Sequence, residues 1–249
     1  MKATAAALYG KGIFTTVAIR DRQPFIWDKH WQRLCNNAKT LGIDLSAYSE
    51  EETLDQLTKS IETEAIVNGR ARLTFLDESS SPIWPNESTT KTSLHIITGV
   101  LRAVPDEFRL TVSPYTVNSR SPLAGVKSCN YLENLLALEE ATTRGFHEAV
   151  RVNERGHITS GCMSNIFWLT DEVLYTPTLT TGCLPGTTRE FVLENVERRE
   201  VEAGIDELDK ADAIFLTSAG LGITQVAEYE SKKMERTDHP IFKLLSTII

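Results

Sequence analysis

Residues 148–176 read EAVRVNERGHITSGCMSNIFWLTDEVLYT. Glu148–Asn153 is a short β-rich run, Glu154-Arg155-Gly156 a turn, His157–Ser160 a second run, Asn165–Thr170 a third, Asp171-Glu172 another turn and Val173–Thr176 a fourth. Strands this short, punctuated by turn residues, predict an antiparallel or mixed sheet that can close toward a barrel.

Helical patterns flank this core. Downstream, a helix is expected over Thr187–Glu200 and a buried strand over Ala213–Thr217. Upstream, a helix over about Asn130–Arg144 carries Leu132, Leu135, Leu136 and Glu139 and stops at Gly145. Earlier still, Trp31, Leu34, Cys35, Ala38 and Leu41 follow the i, i+3, i+4, i+7 stripe of a helix, with Asp28 as the expected N-cap and Gly42 as the stop. Ser49 and Glu52 form a capping-box pair ahead of Leu54, Leu57 and Ile61. Arg70–Leu76 and Ser93–Val100 read as strands, joined by a Ser/Pro/Asn-rich connection over Glu78–Thr90 that is expected to be exposed. The fold class is therefore α/β (α+β). Two domains are expected, a smaller N-terminal α/β domain over residues 1–118 and a C-terminal mixed β domain with helices over 126–249. The Ser/Pro/Gly cluster of residues 119–125 is the expected linker.

Composition narrows the function. The 249 residues are 41% hydrophobic and 24% charged, and 34 acidic against 26 basic side chains leave a net charge of −8. Disorder does not fit that balance, and an acidic chain with no basic run longer than a pair is repelled by phosphate backbones, so no nucleic-acid partner is expected. No apolar run approaches a membrane span, and the opening MKATAAALYGKGIF lacks the core of a secretion signal. Cys35, Cys129, Cys162 and Cys183 are widely spaced without C-x-x-C, which points to packed thiols in a reducing cytoplasm rather than to zinc. His30, His95, His147, His157 and His239 show no ligand-like spacing, so no metal site is expected.

Two segments carry chemistry. Leu184-Pro185-Gly186-Thr187-Thr188-Arg189 places a glycine turn and two hydroxyls at a helix start, where free N–H groups and the helix dipole can hold an anion. Read alone, it is more often an ordinary capped helix start. Lys127, among small and apolar residues ahead of a helix, is placed for a desolvated amine with a depressed pKa, although a lysine at a helix start is also a common surface residue.

Five motifs occur in order: Tyr9-Gly10-Lys11-Gly12-Ile13-Phe14, His30-x-x-Arg33-Leu34, Lys127-x-x-Asn130-Tyr131, Gly161-Cys162-Met163-Ser164-Asn165-Ile166-Phe167 and Leu184-Pro185-Gly186-x-Thr188-Arg189. The sequence thereby resembles the class IV aminotransferase-type, or fold-type IV, pyridoxal phosphate enzymes, which include branched-chain aminotransferases, D-amino acid aminotransferases and aminodeoxychorismate lyases. The resemblance implies a two-domain fold-type IV architecture, pyridoxal 5'-phosphate as cofactor and a homodimer. Lys127 would hold the cofactor as an internal aldimine and shuttle the substrate's Cα proton. Gly186, Thr187 and Thr188 would take the phosphate, joined by Arg33 from the other domain and by the Ser218-Ala219 turn. Tyr131 would meet the cofactor's phenolic oxygen, while Tyr9 and Phe14 would line the substrate side.

Two positions depart from the family. Ser160 stands where the family usually has the glutamate that pairs with the pyridinium nitrogen, and a hydroxyl holds that proton less firmly. Ala219 stands where the aminotransferases carry a phosphate-binding threonine. Transamination suffers from a weaker electron sink, whereas elimination with a good leaving group tolerates it. Together with Met163-Ser164-Asn165 and Phe215–Ile223, this leans toward an aminodeoxychorismate lyase of the folate branch, releasing pyruvate to give 4-aminobenzoate. The Leu184-Pro185-Gly186 triplet leans toward aminotransferases of branched-chain or D-amino acids. A third reading is a paralogue catalytically impaired by Ser160. The substrate is expected to be a small amino-acid-like molecule, selected by loops around Glu78–Thr90 and Ser113–Ser121.

Overall fold

The computed structural model describes residues 4–79, 91–101 and 103–244. Two compact units emerge, Met1–Arg102 with Val126–Tyr131, and Ala103–Gly125 with Leu132–Ile249. The residues expected as linker thus fall in the second unit. The short segment bearing Lys127 falls in the first, because it is hydrogen-bonded to that unit's leading strand.

The first unit runs α1 (Ala5–Tyr9), β1 (Gly12–Arg20), β2 (Gln23–Pro24), α2 (Trp27–Leu41), α3 (Glu50–Thr63), β3 (Gly69–Asp77) and β4 (Thr92–Val100). Its sheet has the order β2-β1-β3-β4 with every pair antiparallel. Along β3 burial alternates strictly, so Ala71, Leu73 and Phe75 face the core while Arg72 and Thr74 stand on the other face. Val17, Ala71 and Leu73 pack with Trp27 of α2 and with Leu57 and Ile61 of α3, which places both helices on that buried face. The capping box of α3 forms as expected, Glu52 N–H donating to Ser49 Oγ at 3.2 Å and Ser49 N–H to Glu52 Oε2 at 3.3 Å. Asp28, by contrast, does not cap α2. The helix starts one residue before it, after Ile26 in the left-handed region (φ 45°), and Asp28 sits in the first turn where its charge meets the helix dipole. Gly42 closes α2 at φ 60°, as its position predicts. Of the expected exposed connection, residues 80–90 lie outside the described residues.

The second unit contains β5 (Arg109–Val112), α4 (Leu132–Thr143), β6 (Glu148–Val152), β7 (Ile158–Gly161), β8 (Asn165–Thr170), β9 (Val173–Pro177), α5 (Thr187–Asn195), β10 (Arg199–Val201), α6 (Asp206–Lys210), β11 (Ala213–Ser218), β12 (Gly222–Gln225), β13 (Glu228–Tyr229) and β14 (Lys232–Lys233). These strands build two five-stranded sheets, β10-β9-β8-β11-β12 and β14-β13-β5-β6-β7. The sheets are mixed, with β5 parallel to β6 and to β13 and β9 parallel to β10. Leu110, Val150 and Ile158 of one sheet and Ile166, Trp168, Ile214 and Leu216 of the other share a single apolar core.

One helix reading in this unit needs correction. The helix expected to reach Glu200 ends at Asn195. Val196 turns extended and residues 199–201 pair with β9 as β10, while Arg189 in the helix bonds Glu200 Oε2 at 2.7 Å and Pro177 O at 2.8 Å, tying the returning strand down. In α4 the side chains packed inward are Ala137 and Ala141, against Ala149 and Cys162, and Leu132, Leu135 and Leu136 stand exposed. All four cysteines are free thiols, Cys162 and Cys183 buried. No helix among the described residues is long and apolar enough to cross a membrane.

Candidate active site

The segment 126–131 lies against the edge of β1. Phe14 N–H donates to Lys127 O at 3.0 Å, Cys129 N–H donates to Gly12 O at 2.8 Å, and Ile13 and Ser128 form an antiparallel bridge. The glycines of the Tyr9–Phe14 motif permit this approach. A Cβ on Gly10, whose φ is +63°, would stand 2.7 Å from Asn130 Oδ1, and one on Gly12 would stand 2.9 Å from Cys129 Sγ.

The Lys127 ammonium donates to Tyr131 Oη at 3.2 Å and lies 4.5 Å from the Phe14 ring centroid and 4.7 Å from that of Tyr131. Those two rings meet edge to face, with centroids 5.1 Å apart. Arg72, on the sheet face opposite the helices, sets its Cζ 3.5 Å from the same Phe14 centroid. Burial among these rings, and then the charges of Arg33 and Arg72, push the Lys127 amine down to about 7. Near neutral pH a large share of this amine carries its lone pair, which a nucleophilic lysine requires.

Arg33 is buried on α2 and donates through Nη2 to Thr15 Oγ1 at 2.7 Å, and that oxygen lies 2.6 Å from His30 Nδ1. Burial first, then Arg33 and Lys127, hold the His30 pKa well below its usual value. A guanidinium can only donate, so the Thr15 hydroxyl accepts from Arg33. The imidazole, kept neutral by its lowered pKa, shares a hydrogen bond with the same hydroxyl and so orients Thr15 and through it Arg33. Tyr9 ends α1 with half its surface exposed. Among the residues expected for this unit, Phe14, Arg33, Lys127 and Tyr131 are linked by these contacts and charges, and the sequence reading missed Arg72. Its sign was an arginine on the outward-facing register of a strand whose alternate residues are apolar.

In the second unit the Gly161–Ser164 turn wraps a fully buried carboxylate. Glu148 accepts from Ala149 N–H (3.1 Å), Cys162 N–H (2.9 Å), Met163 N–H (3.0 Å) and Ser164 Oγ (3.3 Å). Burial pushes its pKa up and these donors pull against it. Glu148 also was missed in the sequence, where it read as the first residue of a strand. The turn continues into Asn165, whose Nδ2 donates to Leu184 O at 2.8 Å. A Cβ on Gly186 would collide with Asn165 Oδ1. Two motifs separated by about twenty residues thus form one corner, closed because Gly186 has no side chain. From that corner α5 begins with Gly186 in extended conformation and no side-chain cap, and Thr187 and Thr188 are buried in its first turn. Arg189 is the strut described above. At the end of β11, Thr217 Oγ1 is buried without a hydrogen-bond partner, and Ser218 Oγ accepts from Gly220 and Leu221 N–H at 3.2 and 3.1 Å, with Ala219 inside the turn so formed. Ser160 is half-buried near the end of β7.

The model of the amino-transferase class IV family matches residues 12–229. The chain belongs to the class IV aminotransferases. Enzymes of this family depend on pyridoxal phosphate, and the family includes both transaminases and aminodeoxychorismate lyases. The chain is 30% identical to the aminodeoxychorismate lyase of Bacillus subtilis over 90% of its own length and 79% of that protein. It is 27% identical to the D-alanine aminotransferase of Bacillus licheniformis over 90% of this chain and 81% of that one. Among solved structures, a putative 4-amino-4-deoxychorismate lyase from Legionella pneumophila superposes with a TM-score of 0.88 at 26% identity, covering 97% of this chain and 91% of that one. The fold is thus that of a class IV aminotransferase.

The residues present suit the family's cofactor. An amine held at about 7 suits bonding to an aldehyde, and an uncapped helix start with buried hydroxyls, in a corner that excludes a Cβ, suits a phosphate.

Proposed function

We propose that this chain is a pyridoxal phosphate enzyme that uses Lys127 to act on an amino-acid-like substrate and works as an aminodeoxychorismate lyase-like enzyme, releasing pyruvate to give 4-aminobenzoate. The observation that carries the cofactor reading is the Lys127 amine, desolvated against Phe14 and Tyr131 and pushed down to about 7. The lyase reading is supported by Ser160, which leaves the ring nitrogen without a carboxylate.

When bound, the cofactor supplies an electron sink for the carbon that bears the substrate's amino group. Lys127 holds it at rest and, once released, takes the proton from that carbon as general base. Tyr131 Oη keeps the lysine amine in place through its 3.2 Å hydrogen bond. Thr187, Thr188 and the amides after Gly186 would take the phosphate, and Arg33, held by Thr15 and His30, would supply a cation for it. Ser218 and Ala219 would add backbone contacts, and Ser160 holds the position that in the family pairs with the ring nitrogen. Tyr9 and Phe14 flank the substrate, where the Arg72 guanidinium attracts a carboxylate.

Assaying pyruvate release from aminodeoxychorismate against glutamate formation from amino acids and 2-oxoglutarate separates the readings. Pyruvate without glutamate is expected. Glutamate without pyruvate establishes the second reading, a branched-chain or D-amino acid aminotransferase, which Leu184-Pro185-Gly186 favours. We further propose a cytoplasmic homodimer. Free thiols at all four cysteines suit a reducing compartment, and a dimer mass in sedimentation is the expected result.

A further inference from the structure

In the β6–β7 ladder Arg151 stands directly opposite Ser160. Opposed residues of an antiparallel pair project from the same face with Cβ atoms about 5 Å apart, so the serine has a guanidinium-bearing side chain for a neighbour. Arg151 is 3% exposed. Its donors go to uncharged oxygens: Nε to Tyr115 O at 3.4 Å, Nη1 to Asn134 Oδ1 at 3.1 Å and Nη2 to Thr116 O at 3.2 Å. The carboxylate nearest it, Glu133 on α4, lies 3.6 Å from Nη2 with its side chain 82% exposed, where water screens it. The carboxylate on Arg151's own strand, Glu148, has three backbone N–H groups and the Ser164 hydroxyl around it, and three residues along a strand place it on the face opposite Arg151. A buried charge is ordinarily matched by an opposite one, and here the ion pair is with an exposed, water-screened carboxylate, so the positive charge is only weakly compensated beside the residue that replaces the family's acid.

We propose that Arg151 governs the protonation of the cofactor's ring nitrogen, holding it unprotonated at neutral pH where a carboxylate would hold it protonated. This inference rests on the reading that Ser160 faces that nitrogen. A pyridinium near a guanidinium meets like-charge repulsion, whereas a neutral ring accepts a hydrogen bond from the serine hydroxyl. Two like charges about 6 Å apart repel by about 3 kcal/mol at an effective dielectric of about 20, so a guanidinium at that range would lower the nitrogen's pKa by about two units. An unprotonated ring is a weaker electron sink. It disfavours transamination, which needs a long-lived delocalised carbanion, and suits elimination, in which the electron pair leaves with the departing group.

The test is nitrogen NMR of the protein loaded with pyridoxal phosphate labelled with ¹⁵N in the ring, with cofactor uptake read separately from its absorbance. In the wild type the nitrogen is expected to be unprotonated throughout the neutral range. Arg151→Gln is expected to raise its apparent pKa by about two units, and Arg151→Lys to leave it near the wild-type value. A protonated wild-type nitrogen, or a pKa unmoved in Arg151→Gln, overturns the proposal while leaving the cofactor reading intact. Should Arg151→Gln fail to fold, Arg151→Lys decides. It keeps the positive charge and is expected to leave the nitrogen unprotonated at neutral pH, so protonation in that variant overturns the proposal. Protein that takes up no cofactor overturns both readings.

Discussion

Replacing Arg72 by methionine should raise the pKa of the Lys127 amine without moving the lysine. The Arg72 Cζ and the Lys127 Nζ lie 3.5 and 4.5 Å from the same Phe14 centroid, so the two charges are no more than about 8 Å apart. At an effective dielectric of about 20, Coulomb's law gives about 2 kcal/mol of repulsion at that distance, equivalent to about 1.5 pKa units. Solvent at the half-buried arginine screens part of this, which leaves about one unit. The amine should then titrate near 8 instead of about 7, still well below the lysine value of 10.5 because burial, the largest cause, remains. The assay is an NMR pH titration of the Lys127 Cε and Nζ signals in the cofactor-free protein. Arg72→Lys, which keeps the charge, serves as the control and should reproduce the wild-type curve. A methionine variant whose titration superimposes on the wild type would show that the Arg72 charge does not reach the amine, and the electrostatic role given to Arg72 would be wrong.

Lys127 bears on stability as well. Its pKa is about 7 in the folded protein against 10.5 in the unfolded chain, so the unfolded state binds the extra proton between those values. Stability of the cofactor-free protein should rise with pH across that interval, and Lys127→Met should be more stable at pH 7 by on the order of 2 kcal/mol. Urea unfolding of both proteins at several pH values checks the sign, and a stability gap between Lys127→Met and the wild type that does not narrow from pH 7 to 10 refutes it. Gly186→Ala should push a methyl group into Asn165 and open the corner ahead of α5, at a cost of about 2 kcal/mol, together with a clear loss of pyridoxal phosphate affinity measured by titration. Glu148→Leu leaves three backbone N–H groups without their acceptor and should cost about 3 kcal/mol or more, read as a fall in Tm of about 10 °C, whereas Glu148→Gln should recover part of it.

Much of the fold was written locally. The Ser49–Glu52 capping box, the Gly42 stop and the short strands around the Asp171-Glu172 turn depend on neighbours a few residues apart, and they formed where expected. The readings that failed did so where distant partners decide. Asp28 looked like a cap, but the chain enters α2 from the β1–β2 hairpin and begins the helix at Trp27. The helix after Gly186 looked long enough to reach Glu200, but β9 offers an open edge that residues 199–201 fill. Glu148 and Arg151 were invisible as special residues, since a carboxylate becomes an anchor only when a turn fourteen residues later closes on it, and a guanidinium becomes a buried charge only when α4 covers it.

The sequence by itself determined the family, and it singled out the lysine and the glycine-threonine turn as the proposed site, because each rests on residue types in a fixed order along the chain. Only the tertiary structure decided that Lys127 belongs with β1, that its amine is desolvated by Phe14 and Tyr131 beside two guanidinium groups, and that the cross-strand neighbour of Ser160 is a buried cation. Hydration and Coulomb energies depend on distances through space, and residues far apart in the sequence set those distances only once the strands are in register.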